Sequence, residues 1–169
     1  MSLIVETGAI VAGAESYVSV TDASAFHAAR GDTTWAGITT AQMEQALRRA
    51  TDYMVHAYRL RWHGSRVSTT QALDWPRSLV PIVDSPVYTY LATDVVPDEV
   101  KNACSMLARR AAAGPLLDDQ ERTKISVKVG PIETAWAAGS SQAKKYAEID
   151  ALLRPYLKSG GGQIPMVRQ

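Results

Sequence analysis

A mainly α-helical fold, a small bundle with one β-hairpin and an extended C-terminal arm, is what this sequence predicts. Three observations carry that reading. Two long stretches repeat apolar residues at three-to-four-residue spacing, a single short stretch alternates strictly, and a triglycine separates the last helical pattern from a short apolar tip. At 169 residues the chain suits one hydrophobic core, so residues 1–158 are taken as one helical domain and residues 159–169 as a glycine-hinged arm.

The elements follow in order. Tyr17 to Val20 alternates and reads as an extended lead, after which Thr21-Asp22 supplies an N-cap for a short helix to Arg30, ended by Gly31. Asp32 to Ile38 reads as loop. Thr39-Thr40 opens the strongest helix, with Met43, Ala46, Leu47, Ala50, Tyr53, Met54 and Ala57 on one face. Its other face carries Gln42, Gln45, Arg48, Arg49 and Asp52. From Gly64 through Pro97 no period persists, and the connection reads as irregular or short extended structure. Long ordered connections of this kind tend to serve function or to pack in an interface.

Pro97-Asp98-Glu99 makes a good first helical turn, since proline suits the first position and acids suit the positive end of the macrodipole. Val100, Ala103, Cys104, Leu107, Ala108 and Ala111 are the buried stripe, and Gly114-Pro115 stops it. The alternation lies in Lys124 to Val129, with Gly130-Pro131 as the turn and Ile132 to Ala137 as the returning partner, so a hairpin is expected near 124–137. Ser140-Ser141 opens a last helix lined by Tyr146, Ile149, Leu152, Leu153 and Tyr156. Gly160 to Gly162 then forms a hinge before Gln163, Ile164, Pro165, Met166, Val167 and Arg168.

Composition narrows the function classes. With 46% hydrophobic and 21% charged residues the chain is neither wholly disordered nor membrane-spanning, and no apolar run approaches the roughly 20 residues a spanning helix needs. A formal net charge of +1 gives no whole-molecule field for DNA or an anionic membrane, so any nucleic-acid contact must be local. The start of the chain has no basic n-region and carries Glu6 early, unlike a signal peptide, and the lone Cys104 fits a reducing compartment such as cytoplasm.

No catalytic constellation emerges. His27, His56 and His63 form no zinc-binding spacing, no base stands beside a nucleophile, and the glycines at 160–162 lack the lysine and helix of a phosphate loop. The expectation is a protein with no enzymatic activity, no cofactor and no metal. Two features remain. Between Arg59 and Pro81 lie Trp62, Trp75, Pro76 and Arg77 together with Arg59, Arg61 and Arg66. The tryptophans could anchor the loop on the helices while the arginines pair with Asp52, Asp74 or Asp84; alternatively, the indoles could stack on single-stranded bases while the arginines meet phosphates. The tip from Gln163 to Arg168 is either a frayed tail or an arm that orders against another chain.

Nearly the whole chain, with ALDWPR and KVGPIE as its more specific signposts, resembles a family of small tailed-phage and prophage proteins. They are encoded among head and tail genes and often labelled DnaT-like single-stranded-DNA-binding proteins. The segments LRRATDYM, VPDEVKNA and IDALLRPYL with its GGG tail also belong to the likeness. The family's position is similar to that of head-tail connector, or adaptor, proteins. That resemblance implies a subunit of a ring, a dodecamer, beneath the portal. Its arm, Gln163 to Arg168, would dock on the portal, its lower face would meet a tail or stopper protein, and the genome would pass through its channel. It would be assembled in the host cytoplasm and reside in the virion neck. Trp62, Trp75, Pro76 and Arg77 would anchor the loop or form a subunit interface, and Arg48, Arg49, Arg59, Arg61 and Arg66 would face DNA or the channel. The alternative is single-stranded-DNA binding by the loop 59–81.

Overall fold

The computed structural model describes residues 2–117, 126–129, 132–135 and 144–158. It is mainly helical, with a small antiparallel hairpin. In chain order come α1 (Val20–Ala28), α2 (Thr33–Ala36), α3 (Thr40–Tyr58), β1 (Ser65–Arg66), β2 (Arg77–Ser78), α4 (Asp98–Ala113), β3 (Ser126–Val129), β4 (Ile132–Ala135) and α5 (Ala147–Leu153). A 3₁₀ turn at Arg154–Tyr156 follows.

The body of the fold is the packing of α3 on α4, with α5 and α1 laid against α4. Helix α3 begins where Thr39 and Gln42 cap each other: Gln42 N–H donates to the Thr39 hydroxyl (3.3 Å) and Thr39 N–H donates to Gln42 Oε1 (2.9 Å). Its stripe of Ala46, Leu47, Ala50 and Met54 meets Val100, Ala103, Cys104, Leu107 and Ala108 of α4, all buried. Small residues on both helices let the backbones approach, and Leu47, Met54 and Leu107 fill the remaining space. Ile149 and Leu153 of α5 close one side of this core.

Several boundaries differ from the sequence reading. The first helix is capped by Ser19, whose hydroxyl accepts from Asp22 N–H (3.0 Å), and it starts at Val20 in place of an extended lead. The expected loop at 32–38 contains one helical turn, α2, because Asp32 caps it through Thr34 N–H (3.1 Å) and Trp35 buries itself. Pro97 occupies the cap position ahead of α4. The last helix starts at Ala147. The hairpin has the register Val129↔Ile132 to Ser126↔Ala135, within the expected stretch. The predicted turn at Gly130-Pro131, the opening at Ser140-Ser141 and the arm at 159–169 lie outside the described residues.

Candidate nucleic-acid interface

The segment Arg59 to Pro81 lacks periodic structure, yet its own side chains order it. Gln71 Nε2 donates to the carbonyls of Leu73 (2.8 Å) and Pro76 (3.1 Å), and the amide oxygen of Gln71 accepts from Ser68 N–H (2.9 Å). Arg77, 6% exposed, donates through Nε to His63 O (2.8 Å) and through its terminal nitrogens to Gly64 O (2.9 Å) and Asp74 O (3.2 Å). These bonds take the place of a strand ladder, leaving only the two-residue pairing of β1 with β2. Burial lowers the Arg77 guanidinium pKa, with Asp74 opposing. A cis peptide joins Trp75 to Pro76. Gly64 sits at φ +64°, and a side chain there would run into Ser78 O and Leu79.

Trp62 and Trp75 lie inside the core, 1% and 0% exposed. Their rings meet edge to face at 5.5 Å, Trp62 leans on Tyr58 at 5.6 Å, and Trp75 stands against Tyr156 at 5.7 Å. Neither indole presents a face to a base. The stacking role weighed for this pair is therefore not available in this fold: both rings are committed to holding α3, the 59–81 segment and the chain after α5 together.

The arginines separate into two groups. Arg48 is engaged by Glu15 (2.9 Å) and Glu44 (3.6 Å), and its bond to Glu15 lowers that carboxyl's pKa. Arg49 is exposed on the same helix. Arg59 pairs through Nε with the buried Asp74 (2.8 Å) while its side chain stays 45% exposed. Arg61 lies over the Tyr58 ring at 5.2 Å and 3.8 Å from Asp150. Arg66 is exposed and donates to Gln71 O (3.2 Å).

A further contact extends the second group. The chain after α5 returns beside residues 61–63: Trp62 bridges Leu157, His63 N–H donates to Tyr156 O (2.9 Å), and Lys158 N–H donates to Arg61 O (2.7 Å). That pairing sets exposed Lys158 beside Arg61, and exposed Arg154 follows one turn after Asp150, the acid 3.8 Å from Arg61. Asp74, buried beneath Arg59, and Asp150 are the carboxylates paired with Arg59 and Arg61. The result is a solvent-facing basic ribbon on a nearly neutral protein, with exposed Leu60 within it. Arg154 and Lys158 escaped the sequence reading because nothing local marks them as neighbours of Arg61.

Elsewhere the described residues offer little chemistry. A cleft of about 430 Å³ opens between the N-terminal segment, α1 and the start of α4. Within it Glu6 is engaged by backbone N–H groups, and Lys101 is paired with Asp98 (3.1 Å). Cys104 is fully buried against Thr51 (3.5 Å), and burial raises its thiol pKa. Among the described residues no group of three or more His, Cys, Asp or Glu could hold a metal ion, and no helix is long and apolar enough to cross a membrane. The portal-arm candidates, Gln163 to Arg168, lie outside the described residues.

A family model described as "Putative DnaT-like ssDNA binding protein" matches residues 1–169. No curated protein and no solved structure matches the chain.

Proposed function

We propose, from the premise that the chain belongs to the DnaT-like single-stranded-DNA-binding family, that it is a noncatalytic protein that contacts single-stranded DNA through its basic ribbon. The observation that supports this is the main-chain pairing that sets exposed Lys158 beside exposed Arg61, in two chain segments that also carry exposed Arg59, Arg66 and Arg154. Such a ribbon meets phosphates. Contacts of that type position the strand without reading its bases, so binding is tolerant of sequence and strongly salt-dependent. The indoles of Trp62 and Trp75 take no part.

The test is a polarisation titration with a labelled oligothymidine across a salt series, comparing the parent with R154E/K158E. Both side chains are exposed, so circular dichroism should be unchanged. Affinity is expected to fall more than tenfold, and losing two phosphate contacts should reduce the slope of log affinity against log salt by roughly 1.4. Equal affinity in parent and variant would rule out the ribbon.

A second reading, the head-tail adaptor, is favoured by a different observation: an exposed apolar segment at 79–90 without a single Lys or Arg, a surface suited to protein contact. In that reading the chain is a ring subunit in the virion neck, the arm from Gln163 to Arg168 grips the portal, a tail or stopper protein covers the opposite face, and the ribbon faces the DNA channel. Light scattering with the portal protein separates the two readings. An adaptor assembles only with portal and loses attachment when Gln163 to Gln169 are deleted; a DNA-binding protein ignores portal and binds the oligonucleotide.

A further inference from the structure

Phosphate contacts alone do not make a site for single strands. A duplex carries the denser line of phosphates, so a surface that only neutralises charge holds duplex at least as well. What a single strand offers and a duplex hides is the face of an unpaired base, which proteins meet with aromatic or apolar side chains. Trp62 and Trp75, at 1% and 0% exposure, are in no position to do so. The ribbon's other large apolar residue is Leu60.

Leu60 stands 88% exposed, more than any other large apolar residue among the described residues. An exposed leucine is by itself ordinary. Two features set this one apart. Its chain neighbours are Arg59 and Arg61, both exposed and both held in place: Arg59 by Asp74 through Nε (2.8 Å), Arg61 over the Tyr58 ring (5.2 Å) and 3.8 Å from Asp150. Its backbone is also fixed. Arg61 N–H and Trp62 N–H both donate to Tyr58 O (2.8 and 3.2 Å), and Lys158 N–H donates to Arg61 O (2.7 Å). Buried Trp62 roots this turn in the core, so the main chain beneath Leu60 has little freedom to lose when a ligand covers it. The apolar segment at 79–90 contains no Lys or Arg and lacks phosphate contacts that would hold a strand over it.

We propose that Leu60 lies against the face of an unpaired base and is the residue that makes the ribbon select single-stranded over duplex DNA. This role rests on the ribbon's contact with DNA. The neighbouring arginines meet phosphates while Leu60 shields one base from water. An aliphatic side chain on a base face reads no hydrogen-bonding edge, so the contact distinguishes strandedness and tolerates any sequence. In a duplex the same face is stacked, and reaching it costs unstacking.

The experiment is a polarisation titration of the full chain with a labelled oligothymidine and, separately, with a dT·dA duplex of the same length, each across a salt series. The parent is compared with Leu60→Ala and Leu60→Trp; position 60 is exposed, so circular dichroism should be unchanged in both. The parent is expected to prefer the single strand. Leu60→Ala should lose about tenfold in single-strand affinity with duplex affinity and salt slope unchanged, because no phosphate contact is removed. Leu60→Trp should bind the single strand more tightly, and oligothymidine, not duplex, should quench its tryptophan fluorescence beyond any change in the parent. A parent that binds neither nucleic acid overturns the ribbon and this role together. A parent that binds oligothymidine, with Leu60→Ala keeping the same preference or Leu60→Trp showing no added quench, overturns the role of Leu60 and leaves the ribbon standing. If the alanine variant unfolds, Leu60→Gln replaces it under the same criteria.

Discussion

Trp75→Ala is expected to destabilise the protein by about 3 to 5 kcal/mol, read as a shift in the urea midpoint by circular dichroism. The indole is 0% exposed and touches Trp62 and Tyr156, so truncation opens a cavity where three chain segments meet. Partial collapse is hard there, because β1, β2 and the return at Leu157 are tied by main-chain hydrogen bonds. Trp75→Phe should cost less: the Nε1 atoms of Trp62 and Trp75 meet no protein partner among the described residues, so no hydrogen bond is lost with the ring nitrogen. The pair of variants separates two roles. A base-stacking residue would leave stability unchanged and lose DNA affinity, whereas a core residue loses stability first. A midpoint change worth less than about 1 kcal/mol in Trp75→Ala would contradict the packing described above.

What the sequence makes legible is what repeats locally. The stripes of α3 and α4, the Thr39 start and the alternation around Val127 depend on residues within a few positions of one another, and each element is present. The pairing of Trp62 with Trp75 is different in kind. Twelve residues of nonrepeating chain separate them, and their contact depends on Gln71 and Arg77 binding main-chain carbonyls, a bonding pattern with no period. The ribbon was half visible for the same reason: Arg59, Arg61 and Arg66 are adjacent in sequence, but Arg154 and Lys158 join them only through the bridge from Trp62 to Leu157. Helix α2 is one turn long, too short for any period, and only its Asp32 cap marks it. The exposed apolar segment at 79–90 reads in sequence as irregular chain, since the exposure of its apolar residues is a tertiary property.

Glu6→Gln is expected to cost about 2 to 4 kcal/mol although it replaces a side chain of nearly the same shape, because hydrogen bonds to a charged acceptor contribute more than neutral ones. Glu6 is 1% exposed, and its carboxylate is wrapped by the chain that follows: Oε1 accepts from Gly8 N–H (2.8 Å) and Ile10 N–H (3.1 Å), and Oε2 accepts from Val11 N–H (2.9 Å). To converge on one anion the loop takes positive φ at Gly8 (106°) and at Ile10 (58°), and at a β-branched residue that conformation is strained. The hydrogen bonds offset this strain. Glutamine keeps one oxygen, but its NH₂ must then face an N–H donor, so at least one amide loses its acceptor and the rest lose their charged partner. The consequence reaches the helical body. A side chain at Gly8 would collide with Asp94 O, which shows how closely this loop presses on the segment entering α4, just before buried Val96. Loss of the anion should therefore speed hydrogen exchange at the amides of Gly8, Ile10 and Val11 and lower the urea midpoint together. A glutamine variant as stable as the parent, with those amides still protected, would mean that packing against Asp94 holds the loop without the charge.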